Sequence, residues 1–157
     1  ADWAKILKVK LGRKEAEDKR MIRLIRSISN KPIYVDANQG WPTKEHALKM
    51  CQWLADQGVV LIEQPMLKHM NEEHAWLCER VELPIIADEA CQTYADVAGL
   101  QPYYDGINIK LMKCGGVAEA RKMIALARDL GMQVMIGCMT ETRAGIPAAT
   151  TLRPLAD

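Results

Sequence analysis

Five side chains in this sequence share one kind of position. Lys10, Asp36, Glu63, Asp88 and Lys110 each stand at the C-terminal tip of a short apolar run, separated by 26, 27, 25 and 22 positions. Each interval is about the length of one strand, one helix and their turns. Taken singly, an acid there is a solvated residue opening a loop and a lysine is an ion-pair partner. The recurrence overrides that reading, because every strand then delivers one functional group to the same rim. Asp36, Glu63 and Asp88 brought together would repel one another severely, and a divalent cation resolves the repulsion. An all-oxygen ligand set selects a hard ion, Mg²⁺ or Mn²⁺, over zinc. Lys10 precedes Glu63 by two strands and Lys110 follows it by two, so the amines are expected on opposite sides of the metal. That arrangement suits a general acid and a general base addressing opposite faces of one carbon. Lys8, one pleat from Lys10, and the cation both favour the neutral amine that a base must reach. The reaction implied is abstraction of a proton next to a carboxylate, with the enediolate held on the metal.

These groups need elements to position them. Ile33–Val35 reads as a buried strand ending in Asp36, and the period of two turns Asp36 and Asn38 the same way. Thr43 is expected to cap a helix to Gln57, with Ala47, Met50, Cys51 and Leu54 inward and Gly58 as its stop. Before this, Ile6–Leu11 reads as a strand with Lys8 and Lys10 on one face. A helix over 13–29 follows, with Ile22, Ile25 and Ile28 at helical spacing. Further along, Val59–Ile62 and Pro84–Ala87 read as apolar strands, with a helix capped by Asn71 between them and a short one after Thr93. Gly106–Leu111 is expected as a strand carrying Asn108 and Lys110 on one face. Gly115 and Gly116, too weak a signal for a phosphate loop, allow close packing at the start of a helix that Gly131 stops. Val134–Ile136 is the last strand, before a helix of undefined length. Near-continuous Val/Ile/Leu strands alternating with helices describe a parallel sheet covered on both faces. An open sheet gathers its ligands at a single switch point, whereas a rim supplied by every strand describes an α/β barrel of the (β/α) TIM type.

Composition narrows the class. The chain has 157 residues, 49% hydrophobic and 26% charged, which suffices for one sizeable core. A net charge of +1 argues against nucleic acid or an anionic membrane as the partner. No apolar run approaches the roughly 20 residues that span a bilayer. The start, Ala1-Asp2-Trp3, is not a signal peptide and reads as a domain interior or a cut end. Five cysteines, odd in number and without a CxxC pair, argue against disulfide or zinc frameworks and for a reducing cytoplasm. His46, His69 and His74 fall on helices or connecting loops, as surface or second-layer residues.

In sequence order, Lys8-Val9-Lys10, Asp36-Ala37-Asn38, Ile62-Glu63-Gln64-Pro65, Asp88-Glu89 and Asn108-Ile109-Lys110-Leu111-Met112-Lys113 resemble the enolase superfamily along the whole chain. The lysine pair is similar to that of the muconate-lactonising subgroup, and lysine with Mg²⁺ is a general arrangement of the superfamily. The resemblance implies that Asp36, Glu63 and Asp88 bind Mg²⁺, that Lys10 and Lys110 are the acid/base pair, and that Lys8 helps hold the substrate carboxylate. It implies further that Asn38 supports the site and that Cys138 and Glu141 contact substrate. Asn108–Gly116 and Gly137–Thr142 (GCMTET) are most similar to dipeptide epimerases of the L-Ala-D/L-Glu type. The implied reaction is Mg²⁺-dependent epimerisation, with a dipeptide or N-acyl amino acid as substrate. N-succinylamino-acid racemases, o-succinylbenzoate synthases and lactonising enzymes share the same metal and lysines. From a different class, a catalytically inactive barrel fragment serving folding or assembly is the alternative. The family also has an N-terminal capping domain, a strand before Lys8 and a last strand with a D-x-D motif, for which Asp157 arrives too early. The chain is therefore expected to be strands two to seven, a partial catalytic barrel over 1–157. A homo-oligomer or missing chain would complete it and cover its open edges.

Overall fold

A computed structural model describes residues 4–157; Ala1, Asp2 and Trp3, expected as an interior or cut start, lie outside the described residues. The chain forms two compact units, one through Ile85 and one from Ile86.

In the first unit, β1 (Leu7–Lys10), β2 (Ile33–Asp36) and β3 (Val59–Glu63) run parallel in chain order. The helices α1 (Glu15–Arg26), α2 (Lys44–Asp56) and α3 (Asn71–Cys78) follow them in turn. Ile22, Ile33, Val35, Met50, Leu54, Ile62 and Leu77 are fully buried and make the core. Acidic residues in the first turn of α1 and arginines in its last complement the helix dipole. Thr43 caps α2 as expected, its hydroxyl accepting from the His46 amide at 3.2 Å. Gly58, just past α2, adopts φ +71°, the left-handed conformation expected of a helix stop.

The first strand and helix are shorter than expected at both ends, and two of the differing boundaries have an identifiable cause. The helix expected to reach Ser29 ends at Arg26, and Ile28 is 81% exposed instead of lying on the inward face. The cause is Arg26 itself. Its guanidinium donates to the carbonyls of Ser29, Lys31, Gln57 and Gly58, which folds the chain back before another helical turn can form. At α3, Asn71 is already helical and Met70 is the cap residue, without a side-chain cap. The turn closed by Met70 N–H donating to Leu67 O starts that helix one residue early.

In the second unit the parallel strands are β4 (Ile85–Ala87, whose first residue ends the first unit), β5 (Gly106–Ile109) and β6 (Gln133–Ile136). The helices are α4 (Tyr94–Leu100), α5 (Leu111–Cys114), α6 (Val117–Asp129) and α7 (Gly145–Thr150), with a 3₁₀ turn at Arg153–Leu155. Thr93 and Asp96 form a capping box on α4. A Cβ on Gly106 would stand 2.7 Å from the Gln133 carbonyl oxygen, so this strand position needs glycine. The strand expected to run to Leu111 stops at Ile109, because the Lys110 carbonyl accepts from the Lys113 and Cys114 amides and starts α5. Gly115 and Gly116 do not serve close packing: a Cβ on either would meet nothing within 4 Å. Their positive φ, +88° and +122°, makes the break between α5 and α6. Past the 3₁₀ turn, Asp157 bonds Val134 both ways, its amide to the carbonyl and its carboxylate to the amide. Among the described residues no helix is long and apolar enough to cross a membrane, and all five cysteines are free.

Candidate active site

In the first unit the strand tips are level: Lys10 pairs in register with Asp36, and Asp36 with Glu63. Two carboxylates therefore stand side by side, Asp36 at 1% exposure and Glu63 at 0%. The lysines of β1 turn onto them. Lys8 Nζ lies 2.5 Å from Glu63 Oε2 and 3.7 Å from Asp36 Oδ2. Lys10 Nζ lies 3.2 Å from Asp36 Oδ2 and donates to Asn38 Oδ1 at 3.0 Å, although its side chain is 69% exposed. The Asn38 backbone N–H in turn donates to Asp36 Oδ1 at 3.0 Å.

The backbone beyond these tips is held tightly. Asn38, Gln39 and Gln64 adopt φ of +46°, +61° and +39°, unusual for residues with a side chain and concentrated at functional loops. Gln39 N–H donates to Gln64 O and Trp41 N–H to Pro65 O, which ties the loop after β2 to the loop after β3. A Cβ on Gly12 would come within 1.9 Å of Ala37 O, so the turn after β1 can press against the Asp36–Asn38 segment only as glycine. Two adjacent buried carboxylates, with oxygen donors only, fit a hard divalent cation.

In the second unit Asp88, just past β4, is buried and accepts from two ammonium groups. Lys110 Nζ reaches its Oδ2 at 2.5 Å, and Lys113 Nζ its Oδ1 at 2.5 Å and its carbonyl at 3.0 Å. Burial pushes the Asp88 carboxyl up, but the bonds from Lys110 and Lys113 outweigh it and hold the group below the usual carboxylate range. Lys110 is itself buried. Asn108 is fully buried on β5, and a Cβ on Gly137 would stand 2.5 Å from its Oδ1. Cys138 is exposed and Glu141 half-buried, in the loop between β6 and α7.

Lys113 has no role in the sequence reading. Extending the strand through Leu111 hides it; once Lys110 opens a helix, a lysine three residues later shares its face. The histidines lie on α2, in the loop before α3 and on α3. His46 is 3.9 Å from Glu15, His69 is exposed, and His74 is buried, its Nδ1 2.7 Å from the Met70 carbonyl oxygen.

Residues 1–156 match the family described as enolase C-terminal domain-like. The chain is 53% identical over 152 residues to an L-Ala-D/L-Glu epimerase of Bacteroides thetaiotaomicron, covering 97% of this chain and 39% of that protein. It is 43% identical to an L-Ala-D/L-amino acid epimerase of Pedosphaera parvula, covering all of this chain and 46% of that protein. Among solved structures, a dipeptide epimerase from Enterococcus faecalis, complexed with Mg and the dipeptide L-Leu-L-Tyr, superposes with a TM-score of 0.89 at 38% identity. That superposition covers 94% of this chain and 43% of the other. A muconate lactonizing enzyme superposes with a TM-score of 0.85 at 28% identity, covering 93% and 42%. The chain thus spans less than half the length of these relatives. Because the family match runs nearly from end to end and the solved relatives superpose so closely, the chain belongs to the enolase C-terminal domain-like family and has its (β/α)-barrel fold class.

Proposed function

We propose that this chain carries the metal-binding and proton-transferring residues of a Mg²⁺-dependent dipeptide epimerase, an isomerase acting at the carbon next to a carboxylate. The observation that carries the reading is the buried pair Asp36 and Glu63, level at adjacent strand tips with Lys8 and Lys10 turned onto them. Asp88, the next acid at a strand end, is taken as the third ligand. When bound, Mg²⁺ supplies a fixed positive charge for the negative charge that develops on the substrate carboxylate as the α-proton leaves. Mn²⁺ suits the same oxygen donors.

Lys10 and Lys110 exchange the α-proton, one from each face of the carbon. Asn38 steadies Lys10 through its 3.0 Å bond. Lys8 holds the substrate carboxylate, and Cys138 and Glu141 contact the rest of the substrate. A dipeptide is the preferred substrate because the relatives named above include an L-Ala-D/L-Glu epimerase at 53% identity. A reducing cytoplasm accords with the five free cysteines.

The test is exchange of the α-proton in D₂O, followed by NMR on both diastereomers of an Ala-Glu dipeptide. The wild type should exchange both. Lys10→Ala should lose exchange from one diastereomer and Lys110→Ala from the other. If both variants keep exchange on both diastereomers, the lysine assignment fails. Faster turnover of an N-succinylamino acid than of any dipeptide would move the substrate class to the racemases.

A further inference from the structure

We infer that Lys113 is a positioning residue for the metal, fixing the orientation of the Asp88 carboxylate that would hold the ion. The inference rests on the reading of Asp88 as a metal ligand. Lys113 holds two acceptors of a single residue, the carbonyl oxygen at 3.0 Å and Oδ1 at 2.5 Å. Gripping both fixes the rotation of the carboxylate relative to its own backbone. Oδ1 is thereby held by Lys113 while Oδ2 accepts from Lys110, so two ammonium groups place the carboxylate. The clamp is only 13% exposed, so water competes for it weakly.

Its place in the fold explains why it is available. Gly115, at φ +88°, stops α5 after a single turn, which keeps Lys113 beside its N-cap Lys110. A buried ion pair contributes little net stability, since desolvation offsets most of the attraction. Neutralising Lys113 leaves Asp88 paired with Lys110, so no uncompensated charge is buried. What such a variant loses is orientation, and outer partners of metal ligands commonly control affinity by about 10- to 100-fold.

Calorimetric titration of the protein with Mg²⁺, without substrate, reads this directly. Lys113→Met and Lys113→Gln should each weaken Mg²⁺ binding by about 10- to 100-fold, and Lys113→Arg should restore most of it. At saturating Mg²⁺ the neutral variants should recover α-proton exchange, which loss of an acid/base group would not allow. In an Asp88→Asn background, Lys113→Met should cause no further weakening. Unchanged Mg²⁺ affinity in either neutral variant with wild-type circular dichroism overturns the inference. So does failure of both to fold, which would make the clamp purely structural. If Asp88→Asn alone binds Mg²⁺ as tightly as the wild type, the underlying ligand assignment has failed instead.

Discussion

His74 shows what burial alone does to a titratable side chain. It sits on α3 with its Nδ1 at the Met70 carbonyl, and desolvation pulls it down from 6.5 to about 4 against smaller opposing effects of Met70 and Glu73. Between those values the unfolded chain binds a proton that the folded protein refuses. Stability from this residue is therefore whole above pH 6.5 and declines as pH falls towards 4. From pH 7 to 5 the loss should be about 2 kcal/mol. Urea denaturation at both values checks it: His74→Gln, which cannot titrate, should lose that much less than the wild type. Equal losses in the two proteins would contradict the buried neutral imidazole. At this scale the acids and lysines are legible because strand-end position can be read from where an apolar run stops. Lys113 is illegible because its partner depends on one residue's change from strand to helix.

Element types follow from periodicity, but several boundaries are decided by single long-range side chains. The apolar spacing of Ile22, Ile25 and Ile28 extends one helix to Ser29, yet Arg26 ends it by gathering four carbonyls from two separate loops. A sequence pattern carries no sign of that, since the acceptors at Gln57 and Gly58 come from the far end of α2. Asn71 is outcompeted as a cap by the turn ahead of it, and Lys110 leaves the strand because its carbonyl finds α5 amides. By contrast Thr43, Gly58 and Thr93 act as their residue types predict, because capping is local. Arg26→Met keeps the apolar stem and removes every guanidinium bond. It should destabilise the protein by about 3 kcal/mol, as partly buried carbonyls lose their donors. A fall in the urea midpoint of less than about a third of that would show that water replaces the guanidinium. Because these bonds lie at the loops entering β2 and β3, opposite their acid-bearing tips, Mg²⁺ affinity should be unchanged.

At the scale of the molecule, the recurring interval of 22 to 27 residues made the barrel class readable, since a barrel rim draws one functional residue from each βα unit and an open sheet does not. The division at Ile85 was not readable. The same strand–helix alternation continues through it without a linker, so composition does not change there. Each unit neutralises its own acids: Lys8 and Lys10 face Asp36 and Glu63, while Lys110 and Lys113 face Asp88. Folding therefore does not require a metal to cancel charge, and Mg²⁺ should act as a ligand of an already folded protein. For the site proposed above, an unfolded chain scatters the ligands and binds the ion weakly, so Mg²⁺ should raise stability by mass action. At a hundred times its Kd the gain is about 2.7 kcal/mol, which for a chain of this size raises the Tm by about 5–10 °C. Differential scanning fluorimetry in EDTA and in Mg²⁺, with ionic strength matched by NaCl, measures it. Asp36→Asn, which keeps the shape but removes a ligand charge, should unfold cooperatively in EDTA and show little response to Mg²⁺. A wild-type Tm indifferent to millimolar Mg²⁺, or an Asp36→Asn variant that responds as strongly as the wild type, would remove the cation from this site and leave the lysine–carboxylate pairs as structure alone.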